Sequence, residues 1–135
     1  MLNHQHEIRV RYAETDAMKY VYYGNYAQYL EVARVEVFRS LGYSYHYLEQ
    51  QGVLMPVSTY QIKYLKPAFY DDLLCIKTQI KEIPGVKITF DYEIFNPNNE
   101  LITTASTTLF FLNAQTNKII KCPDFLLDEI KKHFD

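Results

Sequence analysis

Residues 15–39, Thr15 to Arg39, read TDAMKYVYYGNYAQYLEVARVEVFR and decide how the chain folds. Tyr26, Tyr29, Leu30, Ala33, Val37 and Leu41 recur at i, i+3, i+4 and i+7, the spacing of one helix face. Val32, Val35 and Phe38 lie off that stripe, so the helix is apolar on more than one side. Such a helix is usually buried. Asn25 stands where an N-cap is expected, with Gln28 three residues on in the capping-box position. Before it comes Tyr20-Val21-Tyr22-Tyr23-Gly24, too aromatic for an ordinary solvated loop, and before that an acid, Asp16. A carboxylate therefore stands a few residues from a helix start, where free N–H groups and the positive end of the helix dipole lie.

Upstream, Gln5 to Tyr12 alternates, with Ile8, Val10 and Tyr12 on one side and Arg9 and Arg11 on the other, which reads as a half-buried strand. Downstream, Gly42 suits the residue after the helix end. Ser44 suits the cap of a short second helix, Tyr45 to Gln51, closed by Gly52. From Val53 the period changes to two. Ser58, Tyr60, Ile62 and Tyr64 alternate with Val57, Thr59, Gln61 and Lys63. Leu74 to Ile80 and Val86 to Ile94 repeat the pattern, separated by Pro84-Gly85. Asn96-Pro97-Asn98-Asn99 turns into a long Thr-rich strand, Leu101 to Leu112, and Pro123-Asp124 opens a terminal helix. A strand, a long helix and about four more strands joined by short turns make an α+β fold, with the helix covering one face of an antiparallel sheet of about five strands.

A chain of 135 residues with 48% hydrophobic residues supports one sizeable core, read as a single domain over residues 1–135. A net charge of −2 argues against nucleic acid and anionic membranes as partners. No apolar run approaches the ~20 residues of a membrane span, and the N-terminus lacks a signal-peptide core. Cys75 and Cys122 fall in unlike contexts, which argues against a disulfide framework or a zinc site. The expected location is cytoplasmic. His4, His6, His46 and His133 show no metal spacing, and His4 and His6, read as lying before the first strand, are expected to be exposed.

Thr15-Asp16-Ala17-Met18, Val21-Tyr22, Asn25-Tyr26 and Tyr29-Leu30-Glu31-Val32-Ala33-Arg34 resemble the signature of the 4-hydroxybenzoyl-CoA thioesterase family, which includes the small thioesterases of the bacterial Tol–Pal gene cluster. Tyr64 to Asp72, YLKPAFYDD, is similar to a second stretch of that family. The resemblance covers almost the whole chain. It implies a hotdog fold, in which a curved antiparallel sheet wraps a long helix. It also implies a homodimer or homotetramer with active sites at the dimer interface, and hydrolysis of an acyl-CoA to free acid and CoA without metal or organic cofactor. By the same resemblance Asp16 is the catalytic carboxylate and the backbone N–H of Tyr23 polarises the thioester carbonyl. The family usually has Gly where this chain has Lys19, and some relatives have His where it has Tyr23.

The residues admit this chemistry. Asp16 suits either a general base or a nucleophile. Tyr23 and Gly24 N–H groups suit an oxyanion site. Tyr22, Asn25 and Tyr26 are candidates for the substrate pocket, with Tyr60 and Phe69 beside them. Lys63 and Lys87 are candidates for the phosphates of CoA, with Lys19 and Lys66 as further cations. Glu31 and Arg34 are expected to form an i, i+3 ion pair. The substrate is read as a short- or medium-chain or aromatic acyl-CoA, with an acyl carrier protein thioester as the alternative carrier and a non-catalytic acyl-binding protein as the alternative function.

Overall fold

A computed structural model describes residues 1–135. The strands are β1 (Leu2–Arg9), β2 (Val53–Leu54), β3 (Val57–Tyr64), β4 (Leu73–Ile80), β5 (Lys87–Phe95), β6 (Leu101–Asn113) and β7 (Ile119–Ile120). The helices are α1 (Tyr26–Ser40), α2 (Tyr45–Gln50) and α3 (Asp124–Lys131). All strand pairs are antiparallel. The long strands lie in the order β1-β4-β5-β6-β3, and the short β2 and β7 pair with the C-terminal end of β6. This is the helix-on-sheet arrangement that the alternation in the sequence predicts.

Period two explains which face is inward. Leu74, Ile76, Ile80, Ile88, Phe90, Tyr92 and Ile94 are buried against Leu30, Ala33, Val37 and Phe38 of α1. Phe38 meets Phe90 edge to face at 5.8 Å. Each large apolar side chain removed from water contributes about 1.5–3 kcal/mol, so this seam fixes the helix on the sheet.

Three local expectations are revised, two of them by competing hydrogen bonds and one by the register of β1 on β4. The first strand ends at Arg9, and Tyr12 is 76% exposed in a 3-10 turn. Val10 still exchanges backbone bonds with Asp71 and Asp72, but the Arg11 N–H then binds the Glu14 carboxylate at 2.8 Å and curls the chain. His4 and His6 lie inside β1, not before it, and are half-buried. Asn25 caps nothing: it has helical φ and ψ, and its side chain donates to the Glu14 carbonyl at 2.8 Å. The predicted helix end holds. Gly42 has φ +96°, and the Tyr43 N–H returns to the Phe38 carbonyl. Ser44 caps α2 by accepting from the Tyr47 N–H at 3.0 Å. No helix is long and apolar enough to cross a membrane.

Candidate active site

Residues 15–21 form a tight hairpin that carries Asp16. The Asp16 N–H donates to the Tyr20 carbonyl at 2.8 Å and the Lys19 N–H donates to the Asp16 carbonyl at 2.9 Å. The Asp16 carboxylate accepts from the Met18 N–H at 2.8 Å through Oδ1, an Asx turn that leaves Oδ2 free. Closing the hairpin requires a left-handed residue, and Lys19 supplies it with φ +69°. The lysine thus adopts the conformation that glycine would take without strain.

The hairpin is tied down on two sides. The Val21 N–H donates to the Ala68 carbonyl, and Tyr20 bridges to Phe69 in the turn after β3. Toward the helix, Glu14 gathers the contacts. Its carbonyl accepts from the Tyr22 N–H and from Asn25; its carboxylate accepts from the Arg11 side chain and from the Tyr29 hydroxyl at 2.9 Å. Burial pushes the Glu14 carboxyl upward, but the bonds from the Arg11 N–H and Tyr29 outweigh it and hold its pKa below the usual range. Burial and the Glu14 contact push the Tyr29 phenol well up.

The helix begins as a 3-10 turn, Tyr23–Asn25, before α1. At its first positions the N–H groups of Tyr23 and Gly24 have no acceptor in the chain. The Tyr22 ring lies over Gly24, and a Cβ there would come within 2.8 Å of that ring. A side chain at position 24 would have to push the exposed Tyr22 ring aside.

These parts meet at a cavity of about 330 Å³. Asp16, Met18 and Tyr20 line one side, Tyr23 and Tyr26 the helix start, and Tyr64, Leu65 and Lys66 the end of β3. Tyr26 packs on Tyr64 with ring centroids 5.2 Å apart. Of the residues singled out in the sequence, Asp16, Tyr23 and Tyr26 come together here. Tyr22, Gly24 and Asn25 adjoin the cavity through the backbone but do not line it. Lys63 and Lys87 lie elsewhere. On β3, Tyr60 and Tyr64 face the inner side opposite Thr107 and Thr103, and Lys63 has the other parity, opposite Thr104. Lys87 sits on β5 beside buried Ile88, facing out near Lys81 and Pro84. Lys66 reaches the site and pairs with Glu100.

Sequence reading missed Glu14, Tyr64 and Leu65. The Arg11…Glu14 spacing two residues before Asp16 was the available signal for the first; the shared parity of Tyr60 and Tyr64 was the signal for the second. The Glu31–Arg34 pair does not form: Glu31 is exposed, whereas Arg34 turns under the helix and donates to the Tyr92 hydroxyl at 3.2 Å.

Comparison with known proteins places this geometry in context. Residues 10–130 match the Thioesterase-like superfamily. The chain is 38% identical over 115 residues to YneP of Bacillus subtilis (strain 168), provisionally named an acyl-CoA thioesterase, covering 85% of this chain and 83% of that one. It is 30% identical over 125 residues to the acyl-CoA thioester hydrolase YbgC of Escherichia coli O6:H1, covering 93% of each. Among solved structures, a DHNA-CoA thioesterase from Staphylococcus aureus superposes with a TM-score of 0.86 at 37% identity, over 99% of this chain and 85% of that one.

Proposed function

The chain belongs to the thioesterase-like superfamily, a hotdog-fold thioester hydrolase, and from that premise we propose that it cleaves an acyl-CoA to free acid and CoA with Asp16 as the catalytic carboxylate. The observation that carries this reading is the shared cavity: Asp16 and Tyr23, whose N–H is unpaired, line one partly apolar space.

The thioester carbonyl oxygen binds the Tyr23 N–H, with Gly24 as a second donor, and negative charge grows on that oxygen as the carbonyl carbon is attacked. The Met18 N–H holds Asp16 Oδ1, so Oδ2 faces the substrate. Either Oδ2 takes a proton from water while the water oxygen attacks, or Oδ2 attacks directly and water cleaves the acyl-enzyme. In both routes the C–S bond breaks and the CoA thiolate leaves, then takes up a proton. Tyr20, Tyr26, Tyr64 and Leu65 exclude water from the acyl group.

The acyl group is read as short- to medium-chain or aromatic, with CoA as carrier; an acyl carrier protein thioester is the alternative. The free outer edge of β3 supports a homodimer, and a homotetramer built from it. That strand pairs only with β6 and exposes Val57, Tyr60 and Tyr64, a row that a second copy would cover by continuing the sheet. The free thiols Cys75 and Cys122 fit a cytoplasmic location.

The test is thiol release from a panel of acyl-CoA and acyl-carrier thioesters, run beside Asp16→Asn. Release by the wild-type protein that the variant lacks supports the reading. Equal release by both removes Asp16 from the mechanism, and no release from any member favours an acyl-binding protein.

A further inference from the structure

A second cavity, about 320 Å³, lies at the other end of β3, under α1. Its walls are Leu48, Leu54, Met55, Leu109 and Val57, the last of which a second copy paired along β3 would cover, and its floor is polar. Arg34 is 6% exposed, and no carboxylate lies within ion-pair distance of it. One Nη donates to the Tyr92 hydroxyl, which is engaged with Thr107 at 2.7 Å. The Arg34 Nε and the Tyr45 hydroxyl are buried and neither makes a hydrogen bond, although the two side chains lie near enough to interact electrostatically. Glu31 and Glu49 border the same cavity but are exposed, so solvent screens their charges far more than that of the guanidinium.

A buried guanidinium is costly unless an anion or several acceptors satisfy it. Here the acceptors are neutral hydroxyls, and one donor is left over. A guanidinium suits a carboxylate, whose two oxygens match its parallel N–H groups. The inner face links this floor to Asp16: Tyr64 borders the first cavity, and Tyr60, four residues back with the same parity, lies between it and the Tyr92–Arg34 pair.

We propose that Arg34 and Tyr45 form a carboxylate-binding site in this second cavity, reached from Asp16 along the inner face past Tyr60, so that the enzyme accepts thioesters whose acyl group ends in a second carboxylate. This rests on the thioesterase reading for its kinetic arm only. The distal carboxylate takes the Arg34 Nε and the Tyr45 hydroxyl, while the apolar walls hold the methylene chain.

The kinetic arm compares glutaryl-, adipyl- and suberyl-CoA with unsubstituted acyl-CoAs of equal length, in the wild type, Arg34→Gln and Tyr45→Phe. The quantity read is the ratio of kcat/KM for carboxylated over plain chains. Arg34→Gln is expected to lower it about 10- to 100-fold, the loss of a hydrogen-bonded charge pair, and Tyr45→Phe about 3- to 10-fold. Tyr45→Phe removes only an oxygen and covers the case in which Arg34→Gln does not fold. A ratio unchanged in Tyr45→Phe and in folded Arg34→Gln overturns the proposal. A wild type that cleaves plain chains but no carboxylated one also overturns it and leaves the thioesterase reading intact.

A binding arm titrates free adipate into each protein by calorimetry. Binding to the wild type that is weakened in Tyr45→Phe and absent from Arg34→Gln is expected. If no thioester is cleaved at all, the thioesterase reading fails and this arm alone decides the anion site. Adipate binding that depends on Arg34 while the kinetic ratio stays flat would assign the site to a free dicarboxylate and overturn its role toward the acyl group.

Discussion

The hairpin around Asp16 and the cavity around Arg34 are built in opposite ways. The hairpin is held by backbone bonds within residues 14–25 and from the adjoining Ala68–Phe69 turn, and it displays one carboxylate whose Oδ2 is unengaged. The Arg34 floor is assembled from α1, β5, β6 and the start of α2, through side chains that lie far apart in sequence. Local bonding makes the first site contiguous in sequence. The second exists only once the sheet has closed over the helix. If this contrast holds, substitutions at the hairpin change rate or local order, and substitutions at the cavity change which acyl group is accepted.

The sharpest break is Asp16→Asn. The change keeps the side chain's shape and its bond to the Met18 N–H while removing the charge. Loss of about 10³ in kcat/KM is expected, in the range of general base catalysis, with little change in melting temperature because Asp16 is half-exposed. A fall in stability with activity retained would make Asp16 a structural turn residue.

Glu14→Gln tests whether the hairpin hangs on its anchor. It removes charge from a nearly buried carboxylate that Arg11 and Tyr29 satisfy. A cost of about 2 kcal/mol is expected, since hydrogen bonds to charged groups are worth about 1.5–3 kcal/mol. The pH dependence gives the sign. The folded pKa of Glu14 lies below its unfolded value, so its stabilisation is complete above the ordinary carboxylate range. It is lost as pH falls through the lowered folded value. Wild-type melting temperature should therefore decline on the acid side more steeply than that of Glu14→Gln. Parallel acid limbs would remove Glu14 as the anchor.

These anchors also explain what was legible in the sequence. The β4-β5-β6 meander follows from strands that alternate and short turns that force antiparallel neighbours, whereas the crossing from β3 to β4, which sets β3 beside β6 and β4 beside β1, is fixed only by tertiary packing. Gly42 and Ser44 were readable because their roles are local. Asn25 misled because a residue that suits a cap also suits a donor to a carbonyl eleven positions away, and Glu14 offered one. Sequence reading offers Lys63 as a cation for the CoA phosphates, although the alternation already sets it on the face opposite Tyr60 and Tyr64, away from the first cavity. The Arg34 floor left no signal beyond an apolar helix bearing one arginine, because its partners are fixed only by tertiary packing.

On the cavity side, Arg34→Met separates a functional charge from a structural one. Replacing a buried charge that lacks a carboxylate partner with an apolar side chain of similar length should be neutral or stabilise by about 1 kcal/mol, because desolvation of the guanidinium is relieved. Tyr92 keeps its bond to Thr107. A loss of about 3 kcal/mol or more in chemical denaturation would show that Arg34 holds the fold together, and the two regions would no longer differ in kind.

The smallest expected effect belongs to Lys19. Four residues other than glycine have positive φ: Lys19, Asp71, Asn99 and Asn117. Asp and Asn tolerate this region, whereas a long side chain there is uncommon. The strain is accepted because two backbone bonds, from Asp16 to Tyr20 and from Lys19 to Asp16, close the hairpin only in that conformation. Lys19→Gly should relieve about 1–2 kcal/mol of left-handed strain while adding unfolded-state freedom worth roughly half of that. The net gain is about 0.5–1 kcal/mol, read as a rise of about 2–4 °C in melting temperature. Lys19→Val should lower it, because a β-branched residue fits this region worst. If both variants melt with the wild type, the hairpin is soft enough to relax around any residue. The rigid placement of Asp16, on which the contrast between the two regions depends, would then fail.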